Sequence, residues 1–113
     1  MPVFMFQESY TNESLAVQIK NPQDRMAVAR QIIEAQGGKL LGGWYAFGDY
    51  DVILIAEFPD NVSAATISLL VAAGGAPKTF KTTVLLSVDE VLEAMRRAGQ
   101  ASYRPPASRA TPN

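Results

Sequence analysis

The chain has 113 residues, which suits one domain, and 48% of them are hydrophobic whereas only 19% are charged. Ten basic and eleven acidic residues leave a net charge of -1, so the basic patch typical of a nucleic-acid binder is missing. The sequence contains no His and no Cys, which excludes catalytic triads, imidazole metal sites, thiolate chemistry and disulfides.

The N-terminus has no basic segment ahead of its apolar residues, so we expect no secretory signal. The longest uncharged stretch, residues 61–77, contains hydroxyl residues, glycines and a proline, and is too short and polar to span a bilayer. We therefore expect a cytoplasmic protein with neither a membrane nor a nucleic-acid partner. The low charged fraction indicates that another chain covers part of the surface.

The first strand is predicted over residues 3–10, with Phe4 and Phe6 on one face and the intervening apolar residues on the other. Leu15 and Ile19 lie four residues apart, which indicates a short helical segment.

The next helix has clear start and stop signals. Asn21 suits an N-cap, Pro22 suits the first helical position, and Asp24 suits the positive end of the helix dipole. Gly37 and Gly38 predict its end.

Two strands joined by a turn follow this helix. Residues 39–47 predict the second strand, with Gly42-Gly43 as a weak point or bulge. Gly48-Asp49 supplies turn chemistry. Residues 52–58 (VILIAEF) predict a third strand that is buried on both faces.

The last third of the chain predicts a helix, a strand and a second helix. Residues 62–73 carry no charge, which is typical of a helix buried on more than one side. A strand follows over 78–86, and Ser87 with Glu90 forms a capping box that opens the final helix. Its apolar side chains are expected to face inward: Val88, Val91, Leu92 and Met95. Residues 99–113 are Pro-rich and predict an extended or disordered tail after a domain of residues 1–98.

The element order is therefore β-α-β-β-α-β plus a C-terminal helix, which predicts a ferredoxin-like α+β domain with a four-stranded antiparallel sheet. Such a sheet normally leaves one face to water, yet Ile53 and Ile55 make both faces of the third strand apolar. A second copy of the sheet would cover that face, so we expect a homodimer.

The segment from Trp44 to Asp60 resembles the GYD domain family through Phe47-Gly48-Asp49-Tyr50-Asp51 and Glu57-Phe58-Pro59-Asp60. Further matching segments are Ser9-Tyr10-Thr11, Asn21-Pro22-Gln23-Asp24-Arg25, Gly37-Gly38-Lys39-Leu40 and Lys81-Thr82-Thr83-Val84. The resemblance covers about the first hundred residues. It implies a small bacterial protein with a dimeric α+β-barrel, ferredoxin-like fold and no assigned activity.

Two carboxylates of this segment are candidate functional groups. Asp51, with Tyr50, either lies at a pocket mouth or belongs to a tight turn in which Gly48 takes a positive φ and an aspartate accepts turn amides. Glu57 shares a strand face with Asp51, and apolar surroundings there would suit a general acid or base. The alternative for Glu57 is a carboxylate at a strand end that reaches solvent or pairs with a lysine such as Lys81.

Three aromatic residues complete the candidate site. Trp44 and Tyr45 point to opposite faces, so one is expected to pack in the core and the other to be free to stack on a ligand. Tyr10 ends the first strand, which neighbours the third, so we expect Tyr10 and Glu57 to reach one surface. No phosphate loop or calcium loop is complete, so no cofactor and no metal are expected.

The leading hypothesis is a homodimeric ligand-binding domain, sensing or carrying a partly apolar small molecule in a pocket between sheet and helices. The lining residues would be Tyr10, Trp44, Tyr45, Tyr50, Asp51 and Glu57. The alternatives are a cofactor-independent enzyme with Glu57 as base and Tyr10 or Tyr50 as donor, and a protein whose only function is assembly.

Overall fold

The computed structural model describes residues 1–107. Their elements follow in the order β1 (Val3–Tyr10), α1 (Asn12–Lys20), α2 (Arg25–Ala35), β2 (Lys39–Tyr45), β3 (Val52–Glu57), α3 (Asn61–Ala73), β4 (Pro77–Leu85) and α4 (Val88–Gln100).

The four strands form one antiparallel sheet in the order β2-β3-β1-β4. The two crossovers, α1 with α2 and α3, connect strands that are not adjacent, as the split βαβ arrangement requires. The predicted ferredoxin-like α+β fold is confirmed, including the adjacency of the first and third strands.

The core lies between the sheet and the helices, on what we call the helix-side face. Alternate residues of the central strands are buried there, among them Phe4 and Phe6 of β1, which pack edge-on against the fully buried Phe58. Ile33 of α2 and Ile67 of α3 close the core from the other side. This packing fixes both helices on one face of the sheet.

The opposite face, which we call the open face, is also apolar. It carries Met5 of β1 with Ile53 and Ile55 of β3, all only partly buried in the single chain. Trp44 of β2 pairs with Ile53 and is 56% exposed. Its ring lies over Gly42, where an added Cβ would come within 2.5 Å of the indole. The centre of this face is therefore apolar and available to a partner, whereas Gln7, Lys81 and Thr83 bring polar side chains to its β4 side.

The predicted start of the second helix is wrong. Asn21 ends α1 by donating its backbone N–H to Val17 O at 3.0 Å, so it does not cap α2. Asp24 is the N-cap instead, because its Oδ1 accepts the N–H groups of Met26 and Ala27. Pro22 consequently lies between the helices rather than in the first turn.

The strand ends and the turn also differ from the sequence prediction. The second strand ends at Tyr45, so residues 46–51 form a longer connection to the third strand than predicted. The third strand ends at Glu57, one residue earlier than predicted. Gly48 does not take the predicted positive φ: among residues 1–107 only Gly37 and Gly75 do.

The last two helices are less buried in this chain than predicted. In α3 only Ala64 and Ile67 are buried, and Leu69 is 72% exposed. The capping box of α4 is confirmed, but none of its residues is buried and Met95 is 63% exposed. The predicted inward packing of its apolar residues is wrong within a single chain, because α4 does not pack against the rest of the domain.

The final helix also extends into the segment predicted as tail. Helix α4 continues to Gln100, so Gly99 is helical, and residues 101–107 form neither helix nor strand. The remainder of the predicted tail, 108–113, lies outside the described residues.

Candidate functional site

A cavity of about 670 Å³ lies between the helix-side face and helices α1, α2 and α3. Apolar side chains form its interior, including Met26, Ile33, Leu54 and Ile67, and polar side chains of α1 and the end of β1 lie along its wall. This volume falls within the range of small-molecule sites in proteins.

One cross-strand row of residues forms the floor of the cavity. Tyr45 pairs with Val52, Val52 with Glu8, and Glu8 with Phe80, so these four residues cross the whole sheet side by side. Directly paired residues share a face of the sheet, and all four line the cavity. We call Tyr45, Val52, Glu8 and Phe80 the floor row.

A glycine beside the floor row lets helix α2 approach the sheet. Gly43 pairs with Leu54 in the next row, and an added Cβ there would lie 2.6 Å from the Met26 sulfur. A side chain at position 43 would therefore require Met26 and Leu54 to move. Because Gly43 has no Cβ, the Met26 side chain can lie directly against the sheet in the wall of the cavity.

Asp51 attaches the β2–β3 connection to the end of β1. Its Oδ2 accepts the backbone N–H of Tyr10 at 2.8 Å, and its own N–H donates to Glu8 O at 2.8 Å. Its carbonyl accepts the N–H of Ala46, also at 2.8 Å, which closes the connection. Asp51 thus fixes the backbone of the two cavity residues Glu8 and Tyr10 without lining the cavity itself.

Burial dominates the electrostatics of those two side chains. It raises the pKa of Glu8; the positive charge of Arg25 opposes this increase and the negative charge of Asp51 adds to it. Burial, together with Glu8 and Tyr45, raises the pKa of Tyr10 to about 12. The site therefore keeps Tyr10 as a neutral phenol beside a carboxyl group that is partly withdrawn from water.

The structure brings together only some of the residues predicted for the site. Tyr10 and Tyr45 line the cavity. Asp51 contacts the backbone of Tyr10 rather than the cavity, and Tyr50 follows the turn outside it. Trp44 lies on the open face, on the other side of the sheet.

Glu57 does not share a surface with Tyr10, so that expectation is wrong. Glu57 pairs with Val3 and Lys39 at the opposite end of the sheet, and its neighbour Ala56 occupies the helix-side face. The antiparallel register places the end of β3 beside the beginning of β1, whereas Tyr10 lies at the end of β1.

The sequence prediction missed Glu8 and Arg25. Glu8 lies on the same face of β1 as Phe4, Phe6 and Tyr10, because side chains two residues apart share a strand face. This spacing was the sequence signal that grouped Glu8 with these residues. Arg25 begins α2 and lines the cavity mouth, but its proximity to β1 comes only from tertiary packing.

Residues 1–107 contain no group of three or more acidic side chains placed to hold a metal ion. Within the same residues, every helix is too short or too polar to cross a membrane.

Fold and site together define a small α+β domain of ferredoxin-like topology with one cavity-bearing face. The chain belongs to the GYD domain family, whose pattern matches residues 4–95. A search of curated proteins finds no match.

Three solved structures are similar to this chain at low sequence identity, and the first two share its fold. FFRP-DM1 is 10% identical with a TM-score of 0.51, over 76% of this chain and 100% of its own. The hypothetical protein PHS023 from Pyrococcus horikoshii is 12% identical with a TM-score of 0.50, over 77% and 92% of the two chains. An uncharacterized NIPSNAP domain protein from Burkholderia xenovorans is 17% identical with a TM-score of 0.46, over 78% and 95%.

Replacing Asp51 with Ala should destabilise the domain by roughly 1–3 kcal/mol, because the N–H of Tyr10 loses its acceptor. Urea unfolding would measure this loss. Asp49→Ala, in the same connection but exposed, is the control and should change the free energy of unfolding by less than about 0.5 kcal/mol. Equal effects of the two substitutions would contradict a specific role for Asp51.

Glu8→Gln should make stability less dependent on pH. Since folding raises the pKa of Glu8, its carboxyl group favours the folded state below the ordinary value of 4.5, and this advantage is lost as pH rises through the folded pKa. The difference in stability between variant and wild type should therefore shift in favour of the variant as the pH rises from acid to neutral. Thermal unfolding between pH 4 and 8 tests this, with the exposed Glu34→Gln as control; parallel wild-type and Glu8→Gln curves would refute it.

Proposed function

We propose that this protein is a homodimeric, cytoplasmic small-molecule-binding domain that acts as a sensing or carrier module. The observation that supports binding is the cavity of about 670 Å³ on the helix-side face. Its interior is apolar, and its polar groups lie along the end of β1, α1 and the start of α2, a distribution that suits a partly apolar ligand with a polar end.

A neutral apolar dye should bind in this cavity. N-phenylnaphthylamine, whose fluorescence increases in apolar surroundings, is expected to saturate, and Val17→Trp should weaken its binding by at least about tenfold by filling the space beside α1. Val62→Trp is the matched control, because Val62 is similarly exposed but lies on α3 outside the cavity. Equal binding by both variants would place the dye elsewhere, and absence of saturable binding would favour an assembly function.

The proposed dimer is supported by the open face. Met5, Ile53 and Ile55 form an apolar surface on a sheet whose other face is already covered by helices. Antiparallel sheets of this type normally present polar residues to water on their second face. A symmetric partner would bury this surface against its own copy.

Ile55→Lys should convert the dimer to a monomer, because it would place a charge in the centre of the proposed interface. Native mass spectrometry would report the subunit number and, in the wild type, any bound mass that disappears on denaturation. Val62→Lys, which adds the same charge on α3, is expected to remain dimeric. A monomeric wild type, or a dimeric Ile55→Lys, would show that the open face is not the interface.

A cofactor-independent proton-transfer enzyme is the second candidate, because Glu8 is a partly buried carboxyl group next to the Tyr10 phenol in the cavity. Glu8 would replace Glu57 as the proposed base, since Glu57 lies at the other end of the sheet. A ligand released from the wild type and incubated with the protein in deuterated water should exchange a carbon-bound hydrogen for deuterium, whereas Glu8→Gln should prevent this exchange. No deuterium gain with the wild type would leave binding as the function.

A further inference from the structure

The floor row places one carboxylate between two aromatic residues. Glu8 lies in the middle of the row, with Tyr45 toward one edge of the sheet and Phe80 toward the other. Tyr10 follows two residues later on the same face of β1, so a third ring lies along the strand. Phe80 is the direct cross-strand neighbour of Glu8, whereas Val52 lies between Glu8 and Tyr45.

The Glu8 carboxylate lacks a protein partner among residues 1–107. The ion pairs in this part of the chain join Glu93 to Arg96 and to Arg97, on α4. The nearest positive side chain, Arg25, is exposed at the cavity mouth and forms no ion pair with Glu8. A carboxylate that is partly removed from water without a donor is unfavourable, and a ligand that supplies a donor would restore the lost interaction.

The charges around the cavity also favour a positive ligand group. Among residues 1–107, Glu8 and Glu13 line it against the single cation Arg25, and Asp51 adds a further negative charge close to Glu8. Aromatic rings attract cations through their negative faces, which reinforces the effect of the carboxylates. The apolar interior beyond the floor row leaves space for a hydrocarbon body.

We propose that the cavity binds a small molecule that joins an apolar body to a protonated amine, with the ammonium group against Glu8 and beside Tyr10 and Tyr45. This inference rests on the proposed binding function and specifies the chemistry of its ligand.

Competition with bound N-phenylnaphthylamine tests the proposal with three probes that share one phenylbutyl body: 4-phenylbutylamine, 4-phenylbutanol and 5-phenylpentanoate. At neutral pH the amine should displace the dye at a concentration at least about tenfold lower than the alcohol, and the carboxylate should be the weakest. Glu8→Gln should remove the preference, so that the amine and the alcohol displace the dye at similar concentrations. Glu34→Gln, which removes a carboxylate outside the cavity, should retain the preference for the amine.

The outcomes distinguish the ligand chemistry from the binding function. Displacement by the alcohol or the carboxylate at concentrations equal to or below that of the amine would overturn the amine proposal while leaving the cavity as a binding site. Persistence of the amine preference in Glu8→Gln would also overturn it. Failure of the dye to bind the wild type would refute the proposed function itself.

Discussion

The hydrogen bond from the Tyr10 N–H to the Asp51 carboxylate holds the cavity end of the sheet together. Tyr10 is the last residue of β1, where the strand ladder ends and a backbone donor would otherwise need water. The carboxylate reaches this donor because the N–H of Asp51 is already bound to Glu8 O. Two contacts from one residue therefore fix the β2–β3 connection relative to the strand that carries the titratable side chains of the site.

This arrangement gives the segment Gly48-Asp49-Tyr50-Asp51 a structural explanation. Gly48, Asp49 and Tyr50 form the connection, and Asp51 is the residue that attaches it to β1. The segment is rich in aromatic and acidic residues, as a binding site would be, yet its aspartate acts on the backbone. Its effect on a ligand would be indirect, through the positions of Glu8 and Tyr10.

The element order was sufficient to predict that the first and third strands are adjacent, and strand alternation placed Phe4 and Phe6 on one face, but neither predicted the site. Both faces of β1 are apolar near its start, so the pattern alone did not say which face the helices cover or that Glu8 would be under them. Antiparallel register then separated Glu57 from Tyr10, a distance that strand adjacency does not reveal. The start of α2 was mispredicted for a local reason: Asn21 and Asp24 both suit an N-cap, and the last turn of α1 uses the N–H of Asn21.

Strand β1 has a consequence for the order in which the fold can form. It is the first element of the chain, yet it lies between β3 and β4, and Val3 pairs with both Glu57 and Leu85. During synthesis β1 must therefore wait, with apolar side chains on both faces, until residues far along the chain have left the ribosome. Closing such distant pairs is slow compared with local helix formation, so the nascent chain passes through a stage in which this strand is exposed to aggregation or to chaperones.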